Sequence, residues 1–117
     1  MLLLDTSIVV DIIRGRREYQ YAAVSTISVL EIVRGFETEI RMVEGMNFMK
    51  RMFYIHEMDD EVILSYAKLY KELKRSRQTM ADADLIIAAT AHAKGETLYT
   101  KDNDFKLLIN IVDIKQD

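Results

Sequence analysis

Four acidic side chains fall where strand-like runs give way to helix-like patterns in this 117-residue chain. They are Asp5 in LLLDTS, Glu31 in SVLE, Asp84 in ADADLIIAATA and Asp102 in TLYTKDND. In an open α/β sheet, ligands bind along the edge formed by the carboxyl ends of the strands. Carboxylates drawn to one such edge repel one another and cannot all stay ionised without a counter-charge. A hard divalent cation, which takes oxygen ligands, supplies that charge. Beside a phosphodiester it would orient and polarise the phosphate and lower the pKa of an attacking water. The chemistry implied is metal-assisted hydrolysis of a phosphodiester.

Each acid also has a plainer explanation. Asp5 can cap a helix. Glu31 completes an S-x-x-E capping box with Ser28. Asp82 and Asp84 suit a helix N-terminus through the macrodipole, and K-D-N-D around Asp102 is turn chemistry. None of these explanations requires all four acids to share an edge. No other catalytic apparatus is evident: there is no G-x-S-x-G elbow or Walker lysine loop, and His56 and His92 lie where structural histidines are expected.

Composition narrows the class. Half the residues are apolar, so a packed core is expected and disorder is not. The absence of cysteine excludes disulfides, thiolate zinc and thiol nucleophiles, and suits a cytoplasmic protein. The start MLLLDTS reaches an acid too soon for a signal peptide, and no apolar run approaches the roughly 20 residues of a membrane span. A net charge of −3 gives no global argument for nucleic-acid binding. Local basic groups remain, among them Arg34, Arg75, Arg77 and Lys101.

The elements that must position the acids alternate. Leu2 to Leu4 read as a strand, followed by a helix that Thr6 or Ser7 can cap and that ends at Arg14–Gly15. Ala22 to Ser25 read as a second strand. Ser28 then opens a long helix whose continuation carries Met42, Met46, Met49 and Phe53 at helical spacing, with a break expected near Gly45–Asn47. Phe53 to His56 form a third strand, and Asp59–Asp60 start a helix carrying Val62, Tyr66, Leu69 and Leu73. Thr79 or Asp82 caps the next helix, which Gly95 stops. Thr97 to Thr100 and Ile109 to Ile114 complete the strands. Strands alternating with helices imply a parallel sheet of about five strands with helices on both faces, a three-layer α/β/α domain spanning residues 1–117. The methionine stripe and Tyr66 and Tyr70 are more apolar surface than a small monomer tolerates, which favours a homodimer.

Three segments in this order resemble the PIN-domain ribonucleases, in particular the VapC-type toxins of prokaryotic toxin–antitoxin pairs. They are LLLDTSIVVD, S-x-x-S-V-L-E-I-x-R-G and ADADLIIAATAHAKGETLYTKDNDF. The resemblance covers essentially the whole chain. Carried over by position, it implies that Asp5, Glu31, Asp84 and Asp102 are metal-binding acids. Thr6, Ser7 and Thr100 would shape that site, while Asp82 would bind water or cap a helix. It further implies the strand order 3-2-1-4-5, dependence on Mg²⁺ or Mn²⁺, and cleavage of RNA. A homodimer and a cognate VapB-like antitoxin would follow. Arg34, Lys101, Arg75 and Arg77 are the candidate RNA-binding cations. Two alternatives stay open: a catalytically weak PIN-like module that acts by binding, and a phospho-acceptor receiver-like domain.

Overall fold

Leu2–Leu4 form β1 in the computed structural model, which describes residues 1–117. Leu3 and Leu4 are both fully buried, yet they belong to different apolar clusters. Successive strand residues point to opposite faces, so burial of both means that the strand is covered on both sides. α1 (Thr6–Ile13) follows at once, and β2 (Ala23–Ser25) and α2 (Thr26–Val33) repeat the pattern. After α3 (Glu39–Met52) come β3 (Tyr54–His56) and the helices α4 (Asp60–Arg75) and α5 (Asp82–Lys94). β4 (Thr97–Thr100), a 3₁₀ helix over Asn103–Leu108, and β5 (Ile114–Gln116) complete the chain.

All strand pairings are parallel, and the order across the sheet is β3-β2-β1-β4-β5. One face is packed by α4, α5 and the 3₁₀ helix through Leu69, Leu73, Leu85, Ala88 and Phe105. The other is packed by α1 and α3 through Ile8, Val9, Met49 and Phe53. The result is a three-layer α/β/α sandwich. Its order differs from the 2-1-3-4-5 order of receiver-type sheets, so that reading falls. Winding reverses between β1 and β4, and in such sheets the crevice outside the strand ends at that point is where ligands bind. No helix is long and apolar enough to cross a membrane.

Several local expectations change. Asp5, in extended backbone, is itself the residue that caps α1, rather than Thr6 or Ser7. α2 starts at Thr26, two residues before Ser28, because Ser25 caps it by accepting the Ile27 N–H. Ser28 and Glu31 therefore form no capping box. The helix break falls at Gly35–Thr38 rather than Gly45–Asn47: Thr38 caps α3 by accepting from the Arg41 N–H. Ala81 stands at the α5 cap with no side-chain bond, so neither Thr79 nor Asp82 caps it. Gly95 does end α5, with φ 63°. The last strand is Ile114–Gln116, not Ile109 to Ile114. Phe105, Leu108 and Val112 bury themselves in the core instead, which an apolar count cannot tell from a strand. Met49 and Phe53 also face the core, so the methionine stripe is not a free surface.

Candidate active site

Asp5 ends β1 at the point where the sheet order reverses. It is almost fully buried, and three donors hold its carboxylate: the Thr6 N–H at 2.8 Å, the Ser7 hydroxyl at 3.1 Å and the Thr100 hydroxyl at 2.7 Å. Burial raises its pKa above the usual carboxylate range, with Asp102 adding to the effect and the three donors opposing it. Thr100 ends β4, the strand beside β1. Its hydroxyl also accepts the Asp102 N–H at 2.9 Å, which ties the turn bearing Asp102 to Asp5 through one oxygen. The Asp102 side chain accepts the Asp104 N–H at 2.9 Å and starts the 3₁₀ helix.

Glu31 reaches the same edge from α2. The Thr6 hydroxyl donates to it at 2.8 Å and lies 2.8 Å from the fully buried Ser28 hydroxyl. A hydroxyl has one proton to give. With that of Thr6 directed at Glu31, Ser28 is the donor to Thr6, and the relay Ser28–Thr6–Glu31 fixes the carboxylate. Ser28 was visible in the sequence, but its capping-box spacing to Glu31 pointed to a different use.

Asp84, in the first turn of α5, carries the largest electrostatic signature of the site. Its pKa is pushed up to about 6, first by burial and then by the charges of Asp5, Asp102, Glu31 and Asp104. Asp5, Asp102 and Glu31, with Asp104, therefore lie close enough to act on it, and no cation is among its main influences. Asp82, two residues earlier, takes a different course: it is exposed and accepts the Tyr66 hydroxyl at 2.7 Å. The difference assigns Asp84 to the edge and Asp82 to the α4–α5 contact.

The candidate RNA-binding cations are scattered. Arg34 is largely exposed and lies 3.9 Å from Glu31, at the mouth of the site. Lys101 adjoins Asp102 in sequence, but its ammonium bonds Asp11 at 2.6 Å. Arg75 pairs with Glu72 on its own helix at 2.6 Å, and Arg77 sits in a left-handed turn with φ 59°. The structure does not bring Arg75 or Arg77 into contact with the acids. Asp11, the partner of Lys101, is a residue that the reading of acids at strand ends passed over. His56 and His92 are held elsewhere, by Glu96 and Ser65 at 2.7 Å each.

The donor set at the edge is all oxygen, as a hard divalent cation requires. The charge concentration at Asp84 is what such a cation would relieve. The carboxylates are held by their own donors, and no three of them already converge at coordination distance.

Comparison with known proteins agrees with this geometry. The family model for the PIN domain matches residues 2–109. Ribonuclease VapC1 of Methanocaldococcus jannaschii is 37% identical over 102 residues, covering 86% of this chain and 74% of that protein. Ribonuclease VapC1 of Rickettsia felis is 30% identical over 118 aligned residues, covering 90% of this chain and 88% of that protein. In three dimensions the chain superposes on a VapBC2 structure from Rickettsia felis, solved with a DNA fragment from their promoter. The TM-score is 0.80 at 21% identity, with 98% of this chain and 97% of that one covered. That likeness is one of fold. The sequence match runs from β1 into the turn after the 3₁₀ helix and so takes in every element that carries one of the four acids; this chain belongs to the PIN-domain family.

Proposed function

We propose that this chain is a metal-dependent endoribonuclease, the toxin of a toxin–antitoxin pair, acting in the cytoplasm as one nuclease unit over residues 1–117. The observation that carries the reading is the bonded edge at the switch point of the sheet, where Thr6 joins Asp5 to Glu31 and Thr100 joins Asp5 to the Asp102 turn, with Asp84 close enough for their charges to raise its pKa. Two relatives above the level of fold likeness carry the name ribonuclease, which supports RNA as the substrate. The four acids would hold Mg²⁺ or Mn²⁺. When bound, the cation supplies charge for the phosphate and lowers the pKa of an attacking water.

The chain's own residues supply position. Thr100, Ser7 and the Thr6 N–H hold Asp5 in one orientation. Ser28 and Thr6 do the same for Glu31, which limits how far either carboxylate must turn when a cation or substrate arrives. Arg34, exposed beside Glu31, is placed to meet a backbone phosphate. The test is cleavage of single-stranded RNA with Mn²⁺ and with chelator. Asp5→Asn and Asp84→Asn should each lose about a hundredfold or more in rate. Undiminished cleavage in excess chelator, or by the Asp84 variant, would refute the reading.

The partners follow the same reading. A VapB-like antitoxin would block the site, in keeping with the VapBC complexes that share this fold. A homodimer is supported by exposed apolar residues other than the methionine stripe: Ile40, Val43, Ile63 and Leu64 all remain on the surface. Sedimentation at micromolar concentration should show twice the 13.6 kDa of one chain. A lone monomer peak excludes the dimer without touching the nuclease reading.

A further inference from the structure

We propose that Asp11 is a positioning residue for the acidic site: by holding Lys101 it fixes the turn that carries Thr100 and Asp102 against Asp5. The inference rests on the nuclease reading given above and adds a residue that reading does not use.

The starting point is that Asp11 is in the wrong place for a helix. It lies near the C-terminal end of α1, where the macrodipole disfavours an anion. Its neighbours Ile8, Val9 and Ile12 form the apolar face, and Asp11 itself is buried to 8% exposure. The helix dipole and the desolvation of a buried charge both argue against an aspartate here. What compensates it lies on another element. The Lys101 ammonium donates to Asp11 at 2.6 Å, and the Arg17 guanidinium stands 3.9 Å away.

Lys101 is the residue between the two that matter at the end of β4. On one side, Thr100 donates to Asp5 at 2.7 Å; on the other, the Asp102 N–H donates back to Thr100 at 2.9 Å. The turn 100–102 is thus fastened to α1 twice, at Asp5 through Thr100 and at Asp11 through Lys101. Two attachments to one rigid helix fix an orientation, where one would leave a pivot. Asp102 hangs on that turn and faces Asp84 and Asp5 across the edge. Loss of the Asp11–Lys101 bond leaves the turn tied to α1 through Thr100 alone, with the 3₁₀ helix as its other support. This reverses the role expected of Lys101: its ammonium secures the site instead of waiting for a phosphate.

The experiment measures three things on the wild type, Asp11→Asn, Lys101→Met and Lys101→Arg: Mn²⁺ affinity from the EPR signal of free Mn²⁺, RNA affinity in chelator, and kcat and KM for cleavage of a single-stranded RNA. Residues that orient ligands are typically worth 10- to 100-fold in metal affinity or activity. Asp11→Asn and Lys101→Met should each weaken Mn²⁺ about tenfold and lower kcat by a similar factor, with KM and RNA affinity in chelator unchanged. Their double variant should be no worse than either alone, as expected for two halves of one contact. Lys101→Arg should recover most of the loss. Lys101 is partly exposed, so its variants stay informative even if Asp11→Asn folds poorly.

Two results overturn the proposal. One is Mn²⁺ affinity and kcat unchanged in both single variants. The other is Lys101→Met weakening RNA binding while Mn²⁺ affinity holds, which would make Lys101 a phosphate ligand. If the wild type neither binds Mn²⁺ nor cleaves RNA, it is the nuclease reading that fails.

Discussion

Asp82 and Asp84 lie two residues apart in ADADL, and a helix turns about 200° between such positions. The sequence could not choose between them on composition; the resemblance chose Asp84. The physical ground is depth: Asp84 points into a field of carboxylates, whereas Asp82 meets the Tyr66 hydroxyl. The cations were less legible. Adjacency in sequence placed Lys101 at the site, but a side chain of that length also reaches across to Asp11. Arg75 and Arg77 precede the helix that bears Asp84, yet nothing ties them to the edge. That leaves Arg34 as the exposed cation beside an acid of the set. Arg34→Ala should therefore weaken RNA binding, and the fall of affinity with salt should become shallower by about 0.7 log units per decade for one lost contact to a single strand. Titrations of a short RNA at several salt concentrations, in chelator, measure this. An unchanged slope would show that Arg34 touches no phosphate.

At the level of elements, periodicity and turn chemistry found the first four strands and the helices α1, α4 and α5, but misplaced the last strand and the break between α2 and α3. Gly45 looked like a break because glycine costs a helix interior about 1 kcal/mol relative to alanine. It lies instead within α3, under the Phe36 ring: a Cβ added at Gly45 would stand 2.6 Å from the ring edge. The chain between α2 and α3 folds back so that this ring covers the helix, a tertiary contact that no local pattern reports. The contact makes a prediction of opposite signs in two backgrounds. Gly45→Ala should fail to stabilise the wild type and should lower its stability if the ring cannot move aside, since overpacking typically costs about 1–3 kcal/mol. In Phe36→Ala the clash is gone, and the same substitution should stabilise by up to about 1 kcal/mol. A thermal or urea double-mutant cycle reads the coupling. Equal effects in both backgrounds would mean that Phe36 does not rest on Gly45 in solution.

For the molecule as a whole, alternation of strands and helices was enough to expect a parallel three-layer sandwich, but strand order came with the resemblance, since crossover direction leaves no mark in a single strand. That order brings Asp5 and Thr100 together, and it builds charge into the fold with consequences for stability against pH. Asp11, Asp59 and Asp117 are held below the usual range by Lys101, Lys94 and Arg17 respectively. Their contribution is present above the unfolded carboxylate value and is lost as pH falls. Asp84 and Asp5 are shifted the other way. Asp84 moves from 3.8 in the unfolded chain to about 6 in the folded one, so between those values the unfolded state releases its proton first. The folded state then binds more protons, and stability must fall as pH climbs through that window. In chelator the melting temperature should rise from about pH 3 to 4 as the ion pairs form, then decline towards about pH 6. Asp84→Asn removes the titrating group and one repelling charge. It should flatten most of the decline and melt above the wild type at pH 7, even after losing a first-turn acid worth about 0.3–1 kcal/mol to a helix. A cation that binds only the folded state restores the wild type, by about 2.7 kcal/mol at a hundred times its dissociation constant. The variant, short of one ligand, should gain little from the same Mn²⁺. Melts of both proteins from pH 3 to 7.5, with and without Mn²⁺, decide the matter. If the wild type shows neither the decline nor the metal shift, and Asp84→Asn melts lower throughout, then Asp84 serves α5 as an ordinary N-terminal acid and the edge is not built to hold a cation.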